Sequence, residues 1–173
     1  IKLRLTKESL TNPFDNNFDT IFKNRQAESD QFFESLTSSK DEQLRSIQKQ
    51  AFAGLLWTKQ YYNYDVETWL QGDPKEPTPP KERLLGRNSN WKTLRNHDIL
   101  SMPDKWEYPW FAAWDSAFHC VTWALVDLTF AKQQLLLFTK EWYMAPNGQI
   151  PAYEWSFSDV NPPVQAWAAL QIY

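Results

Sequence analysis

Residues 106–119 read WEYPWFAAWDSAFH, in which three tryptophans, one tyrosine and two phenylalanines surround a single aspartate, Asp115. A carboxylate among indole rings suits a pyranose. The equatorial hydroxyls of such a sugar donate to carboxylate oxygens while its C–H faces lie against aromatic rings. A plainer reading has Asp115 capping a helix while Trp110 and Trp114 fill a core, and the two readings are compatible. The segment YEWSFSD presents the same ingredients again in Tyr153, Glu154, Trp155 and Asp159. Alone it reads equally well as a solvated loop, but two aromatic and acidic segments together favour a binding pocket. The candidate substrate-binding set is therefore Asp115, Trp114, Trp110, Tyr108, Tyr153, Glu154 and Trp155.

Other chemistries find little to stand on. His119 lies four residues after Asp115, one helical turn on, so the two side chains can meet. With only His97 elsewhere and a single cysteine, Cys120, no metal site and no internal disulfide are expected. A core histidine satisfied by neighbouring backbone is the expected role of His119. There is no Gly-x-Ser-x-Gly, no phosphate-cradling glycine loop and no dinucleotide fingerprint. No cofactor is expected.

The elements that must position these residues read as helices. Phe18, Ile21, Phe22, Phe32, Phe33 and Leu36 fall at helical spacing over 17–36. Ser39 and Glu42 have the form of a capping box, and Leu44, Ile47, Ala51 and Leu55 continue the period, predicting a second helix over 40–64. The stretch QGDPKEPTPPKERLLGRNSN has four prolines and two glycines, so a long proline-containing loop is expected within 70–105. Phe118, Val121, Leu125 and Val126 predict a helix started by Asp115. Ala131, Leu135, Phe138 and Trp142 predict another, with Leu128 and Thr129 turning the pair into a hairpin. Asn147-Gly148 marks a turn, and Asn161 before Pro162 predicts the start of a last helix through Val164, Trp167 and Ala168. The expected fold is all-α, with long aromatic loops at one end of the hairpins, where the chemistry should sit.

Composition bounds the partners. The 42% hydrophobic content fits a packed core, and 18 basic against 21 acidic residues leave a net charge of −3 and no basic stripe for phosphates. Nucleic acid is excluded as an expected partner. No run approaches the roughly 20 apolar residues of a membrane span, and no signal-peptide core is visible, so no membrane partner and a cytoplasmic location are expected. The chain opens on Ile1 and stops within the apolar helical pattern VQAWAALQIY, which reads as a segment of a longer protein.

Two long runs carry a resemblance. MPDKWEYPWFAAWDSAFHCVTWAL followed by PNGQIPAYEWSFSDVNPPVQAWA resembles the bacterial and fungal glucosidase-like branch of glycoside hydrolase family 63, the mannosyl-oligosaccharide glucosidase-like enzymes. The runs LLWTKQYYNYDVETWLQGDP and RNSNWKTLRNHDILSMPDKWEYPW are similar to the same branch, so the likeness covers nearly the whole chain. Departures are Gln165, where histidine is usual, and Ser156, where asparagine is usual. The resemblance implies that residues 1–173 form part of an (α/α)6 barrel, a ring of six helical hairpins, in an inverting α-glucosidase-like hydrolase acting on an α-linked glucoside or related oligosaccharide. It implies that Trp114 and Asp115 lie in the pocket for the non-reducing sugar, with Asp115 holding ring hydroxyls and not transferring the proton. Inversion needs an acid and a base roughly 6.5 to 9.5 Å apart. By resemblance these lie downstream, so no catalytic residue is expected in this segment, which would be inactive without the remainder of its catalytic domain. The alternative is a non-catalytic helical protein that binds carbohydrate on Trp110, Trp114 and Trp155. A third reading is a helical scaffold whose aromatics dock a protein.

Overall fold

A computed structural model describes residues 1–102, 104–153, 157–159 and 162–173. The chain divides into two compact units, Ile1–Phe52 and Ala53–Tyr173.

The first unit is built on helix α1 (Asn16–Ser35) and most of helix α2 (Glu42–Leu56). Asp15 starts α1 by accepting the Phe18 amide at 3.0 Å. α2 is capped by Asp41, whose Oδ1 accepts the Gln43 and Leu44 amides, and not by Ser39, which instead accepts the Asp41 amide. Arg45 pairs with Glu34 at 2.9 Å, and Lys49 pairs with Asp30. These are exposed pairs, each worth little. α1 contributes no buried residue.

The second unit carries the core. Helix α2 ends at Leu56 because Thr58 folds back, its amide and hydroxyl both donating to the Leu55 carbonyl. The tyrosine-rich run that follows forms strand β1 (Lys59–Asp65), and strand β2 (Arg95–Ser101) pairs with it antiparallel from Lys59↔Ser101 to Asp65↔Arg95. Aromatic residues spaced by two fit a half-buried pleated surface better than a helix. Tyr62 and Tyr64 accordingly share one face, with ring centroids 6.3 Å apart. The expected all-α fold is therefore corrected. Over the described residues the fold is mixed, 47% helical and 10% strand, with a two-stranded antiparallel sheet. β1 replaces the last part of the helix expected over 40–64, and β2 falls within the stretch expected as loop.

Between the strands lie the short helix α3 (Val66–Gln71), capped by Asp65, and a 3-10 turn at Lys81–Leu85 within the proline-containing stretch. Val66, Leu70, Trp91 and Leu94 bury together with Ala145, and the Trp91 indole donates to the Met144 carbonyl at 2.7 Å.

Helices α4 (Ala113–Trp123), α5 (Leu128–Leu137) and α6 (Val164–Ile172) pack on one another, α4 touching both of the others. Ala113, Ala117, Cys120 and Trp123 form the buried stripe of α4, and Ala131 and Ala168 on its neighbours are also buried, so small residues let the helices approach closely. α4 and α5 form the expected hairpin, but α5 begins at Leu128 because Asp127 caps it, accepting the Phe130 amide at 2.9 Å. A 3-10 turn at Glu141–Tyr143 follows α5 in place of its expected continuation. The Asn147-Gly148 turn is present, with Gly148 at φ +80°. The cap expected at Asn161 lies outside the described residues. No helix among the described residues is long and apolar enough to cross a membrane.

Ser101 ties these pieces together from within the core. Its hydroxyl meets the Trp123 indole N–H at 3.0 Å, His119 Nδ1 at 2.8 Å and the Thr58 hydroxyl at 3.0 Å. Its amide donates to Gln134 Oε1 at 3.1 Å, and Gln134 in turn donates to the Ile99 carbonyl at 2.8 Å. Ser101→Ala leaves three polar groups without this partner, so a loss of about 2–4 kcal/mol is expected from the cost of stranding buried hydrogen-bonding groups. Urea unfolding followed by tryptophan fluorescence measures it.

Asp127 sets an acid limit. The Phe130 amide and Lys59, 3.4 Å from Oδ2, hold its carboxyl below the ordinary value despite an opposing contribution from partial burial. Its folded-state value lies under its unfolded one, so its stabilisation is present above the ordinary carboxylate range and is lost as pH falls through the folded value. Asp127→Ala should cost about 0.5–2 kcal/mol at pH 7, as for other helix caps. The gap between variant and parent in thermal unfolding should narrow below pH 3.8, the ordinary value.

Candidate functional site

The residues that could do chemistry converge where the segment before α4 meets the segment carrying Tyr153. Ala112 and Tyr153 form an antiparallel bridge, which brings the two aromatic stretches side by side. Trp110 stands edge-on to Tyr108 with centroids 5.1 Å apart, and lies 6.2 Å from the Tyr153 ring. Tyr153 donates to Asp159 at 3.2 Å, which stiffens the far side of the loop. Trp114 packs edge-on against Phe118, and Phe118 against Trp167 of α6. The indole of Trp114 is thus supported by the helix behind it.

These side chains enclose a cavity of about 730 Å³ lined by Asp104, Tyr108, Trp110, Ala112, Trp114, Asp115 and Tyr153. That volume lies within the range of small-molecule sites. Five members of the sequence-derived set, Tyr108, Trp110, Trp114, Asp115 and Tyr153, share this one wall. Glu154 and Trp155 lie outside the described residues. Asp104 was not foreseen, although an aspartate followed by a Lys-Trp-Glu turn is a readable Asx signal. Its Oδ1 accepts the Trp106 and Glu107 amides at 2.7 and 3.1 Å and so fixes the loop that carries Tyr108 and Trp110.

Asp115 does not cap α4. The cap position falls to Ala112, which offers no side-chain oxygen, and Asp115 sits in the first turn. Its negative charge is favoured there by the helix dipole. No described residue hydrogen-bonds its carboxylate, although the side chain is half-buried. Burial accordingly pushes its pKa above the ordinary value, and His119 one turn on opposes that shift. Burial also pushes His119 down, so the imidazole is neutral at pH 7. His119 is held through Nδ1 by the Ser101 hydroxyl, and the Ser101 backbone also favours its charged form, so a side-chain partner joins the expected backbone one.

A half-buried carboxylate with unused acceptor capacity beside four aromatic side chains can bind hydroxyl groups and exclude water from them. Among the described residues two carboxylates and no cation line the cavity, so an anionic ligand is disfavoured. Among the described residues no group of three or more His, Cys, Asp and Glu side chains could hold a metal ion. Cys120 is buried and its thiol is pushed up to about 12, so it is no nucleophile at neutral pH. A larger cavity, about 1020 Å³, opens in the same unit against Arg95, His97 and Trp142, and none of the sequence-derived set lines it.

No protein-family model and no solved structure matches the chain. The chain is similar to the uncharacterized protein YMR196W of Saccharomyces cerevisiae (strain ATCC 204508 / S288c), with 58% identity over 158 residues. That alignment takes in 90% of this chain and 14% of the yeast protein, so the chain spans a small part of the length of the curated relative it matches.

Proposed function

We propose that the chain forms one wall of a sugar pocket in a protein that hydrolyses α-linked glucosides or related oligosaccharides with inversion. The observation that carries this reading is Asp115, a half-buried carboxylate without a hydrogen-bond partner among the described residues, facing a cavity walled by Tyr108, Trp110, Trp114 and Tyr153. A half-buried carboxylate that no described residue hydrogen-bonds has acceptor capacity free for ligand hydroxyls. The rings offer flat apolar faces for the C–H surface of a pyranose. Asp115 orients the non-reducing sugar. The acid and base that inversion requires are assigned to none of the residues of this wall. The site of action is cytoplasmic, a reading supported by a lone buried cysteine and no disulfide.

Asp115 should trade stability for binding. Its folded-state pKa is raised, so folding favours the protonated form, and the ionised form present at pH 7 works against the fold. Asp115→Asn should therefore leave the melting temperature at pH 7 equal or higher. The same change should weaken binding or kcat/KM for an α-glucoside about 10- to 150-fold, the equivalent of about 1.5 to 3 kcal/mol of charge-assisted hydrogen bonding. In the parent, affinity should fall on the acid side at a pH above the ordinary carboxylate value, and the variant should lack that limb. A destabilised variant with unchanged turnover would remove Asp115 from the pocket.

Inversion is read directly by proton NMR of α-glucosides and α-mannosides with the full-length protein. Release of the β-anomer first is the expected result. Release of the α-anomer first would reject inversion, and sugar binding without turnover would identify a non-catalytic carbohydrate binder.

A further inference from the structure

The 1020 Å³ cavity is larger than the one at Asp115 and shares no residue with it. Its walls are β2 with the residues just before it and the segment from Glu141 to Gly148. Both walls are fixed from behind. Tyr143 is fully buried and donates to Asp98 Oδ2 at 2.8 Å. The Trp91 indole holds the Met144 carbonyl, and the turn closes through Ala145 and Gln149, amide to carbonyl at 2.8 Å.

The charges divide into two groups. Arg95 is engaged by Glu67 at 3.0 Å and by Asp65 at 3.4 Å, and His97 lies 3.8 Å from Asp65. Lys92 and Glu141 make no ion pair among the described residues, and Asp98 keeps a second oxygen that no described residue engages. Trp142 adds an indole that is 44% exposed, with the Lys140 ammonium 5.8 Å from its centroid.

Ligand classes can be sorted by this lining. A phosphate or carboxylate would meet Asp98 and Glu141, and an organic cation would meet Lys92. An apolar molecule would strip water from all three without replacing their hydrogen bonds. A metal ion lacks a cluster of three ligands among the described residues. A neutral polyol fits, because each hydroxyl both donates and accepts and so can bridge an ammonium and a carboxylate. The indole supplies the apolar face that a sugar ring also needs.

We propose that this cavity is a second carbohydrate site, taking a neutral saccharide whose hydroxyls bridge Lys92, Asp98 and Glu141 while a ring face lies on Trp142. It stands on its own lining and does not depend on Asp115. The volume admits more than one sugar ring, so an oligosaccharide can occupy it.

Isothermal titration calorimetry of the full-length protein with a 4-thio-linked methyl maltoside, which resists hydrolysis, tests the proposal. Two sites per chain are expected. Trp142→Ala and, with less structural disturbance, Glu141→Gln should each weaken one site at least tenfold while circular dichroism stays unchanged. Asp115→Asn should weaken the other. A single site sensitive to Asp115→Asn alone overturns the second site and leaves the proposed function standing. A single site sensitive to Trp142→Ala and Glu141→Gln alone supports the second site and removes the Asp115 pocket. No binding at all overturns both, and competition by sodium phosphate at the Trp142 site overturns the choice of a neutral ligand.

Discussion

A buried hydroxyl has one proton to give and two lone pairs to fill, and at Ser101 that small capacity is matched by three partners, two on α4 and one at the junction of α2 and β1. The Trp123 indole can only donate, so it takes one lone pair. The Thr58 hydroxyl already gives its proton to the Leu55 carbonyl, which leaves it to accept from Ser101. His119 must then donate from Nδ1 into the remaining lone pair. One consistent arrangement therefore fixes the histidine tautomer, the orientation of the buried Trp123 indole and the junction between α2 and β1. Removing the hydroxyl would leave groups on both sides of the core unpaired at once.

That constraint reaches the cavity through α4. Ser101 ends β2 and anchors the middle and end of α4 at His119 and Trp123, while Ser116 adds a longer contact of 3.4 Å to the Ser101 carbonyl. The first turn of the same helix carries Trp114 and Asp115. A rigid helix held at its buried end can present a carboxylate that no described residue hydrogen-bonds. Local stability and the unsatisfied group are then separate matters, which is how strained or costly groups persist at functional places. Lys59 reinforces the arrangement, its ammonium 4.5 Å from the Trp123 ring and 4.0 Å from Phe130, close to the Asp127 cap.

Much of this architecture was legible in the sequence where one local signal dominated. The spacing in 17–36 located α1, and the three- and four-residue spacing of apolar residues on α4 and α5 located their hairpin. Aromatic and acidic composition drew Tyr108, Trp110, Trp114, Asp115 and Tyr153 together before any geometry. Where tertiary pairing decides, periodicity misleads. The residues of β1 extend a helical pattern from α2, yet Tyr61, Tyr62 and Tyr64 are also good strand formers, and the partner that selects the strand lies more than 30 residues later in β2. Caps shifted for a related reason, since Asp41 and Ala112 take positions that sequence pattern gives to Ser39 and Asp115. The Ser101 network was invisible, because a serine reads as surface unless its partners at Thr58, His119 and Trp123 are known to converge.

The net charge of −3 hides how the cations are distributed. Lys59 is spent on aromatic rings and a helix cap, Arg95 on Asp65 and Glu67, and Arg45 and Lys49 on α1. Among the described residues the Asp115 cavity has two carboxylates, Asp104 and Asp115, and no counter-charge in its lining. Asp104 is partly neutralised by backbone amides, whereas Asp115 is not. A ligand entering there must donate hydrogen bonds without carrying negative charge, and must tolerate aromatic walls on several sides. Neutral hydroxyl-rich molecules meet both conditions. Placement of the positive charges elsewhere thus favours a neutral, hydroxyl-rich ligand as much as the tryptophans themselves do.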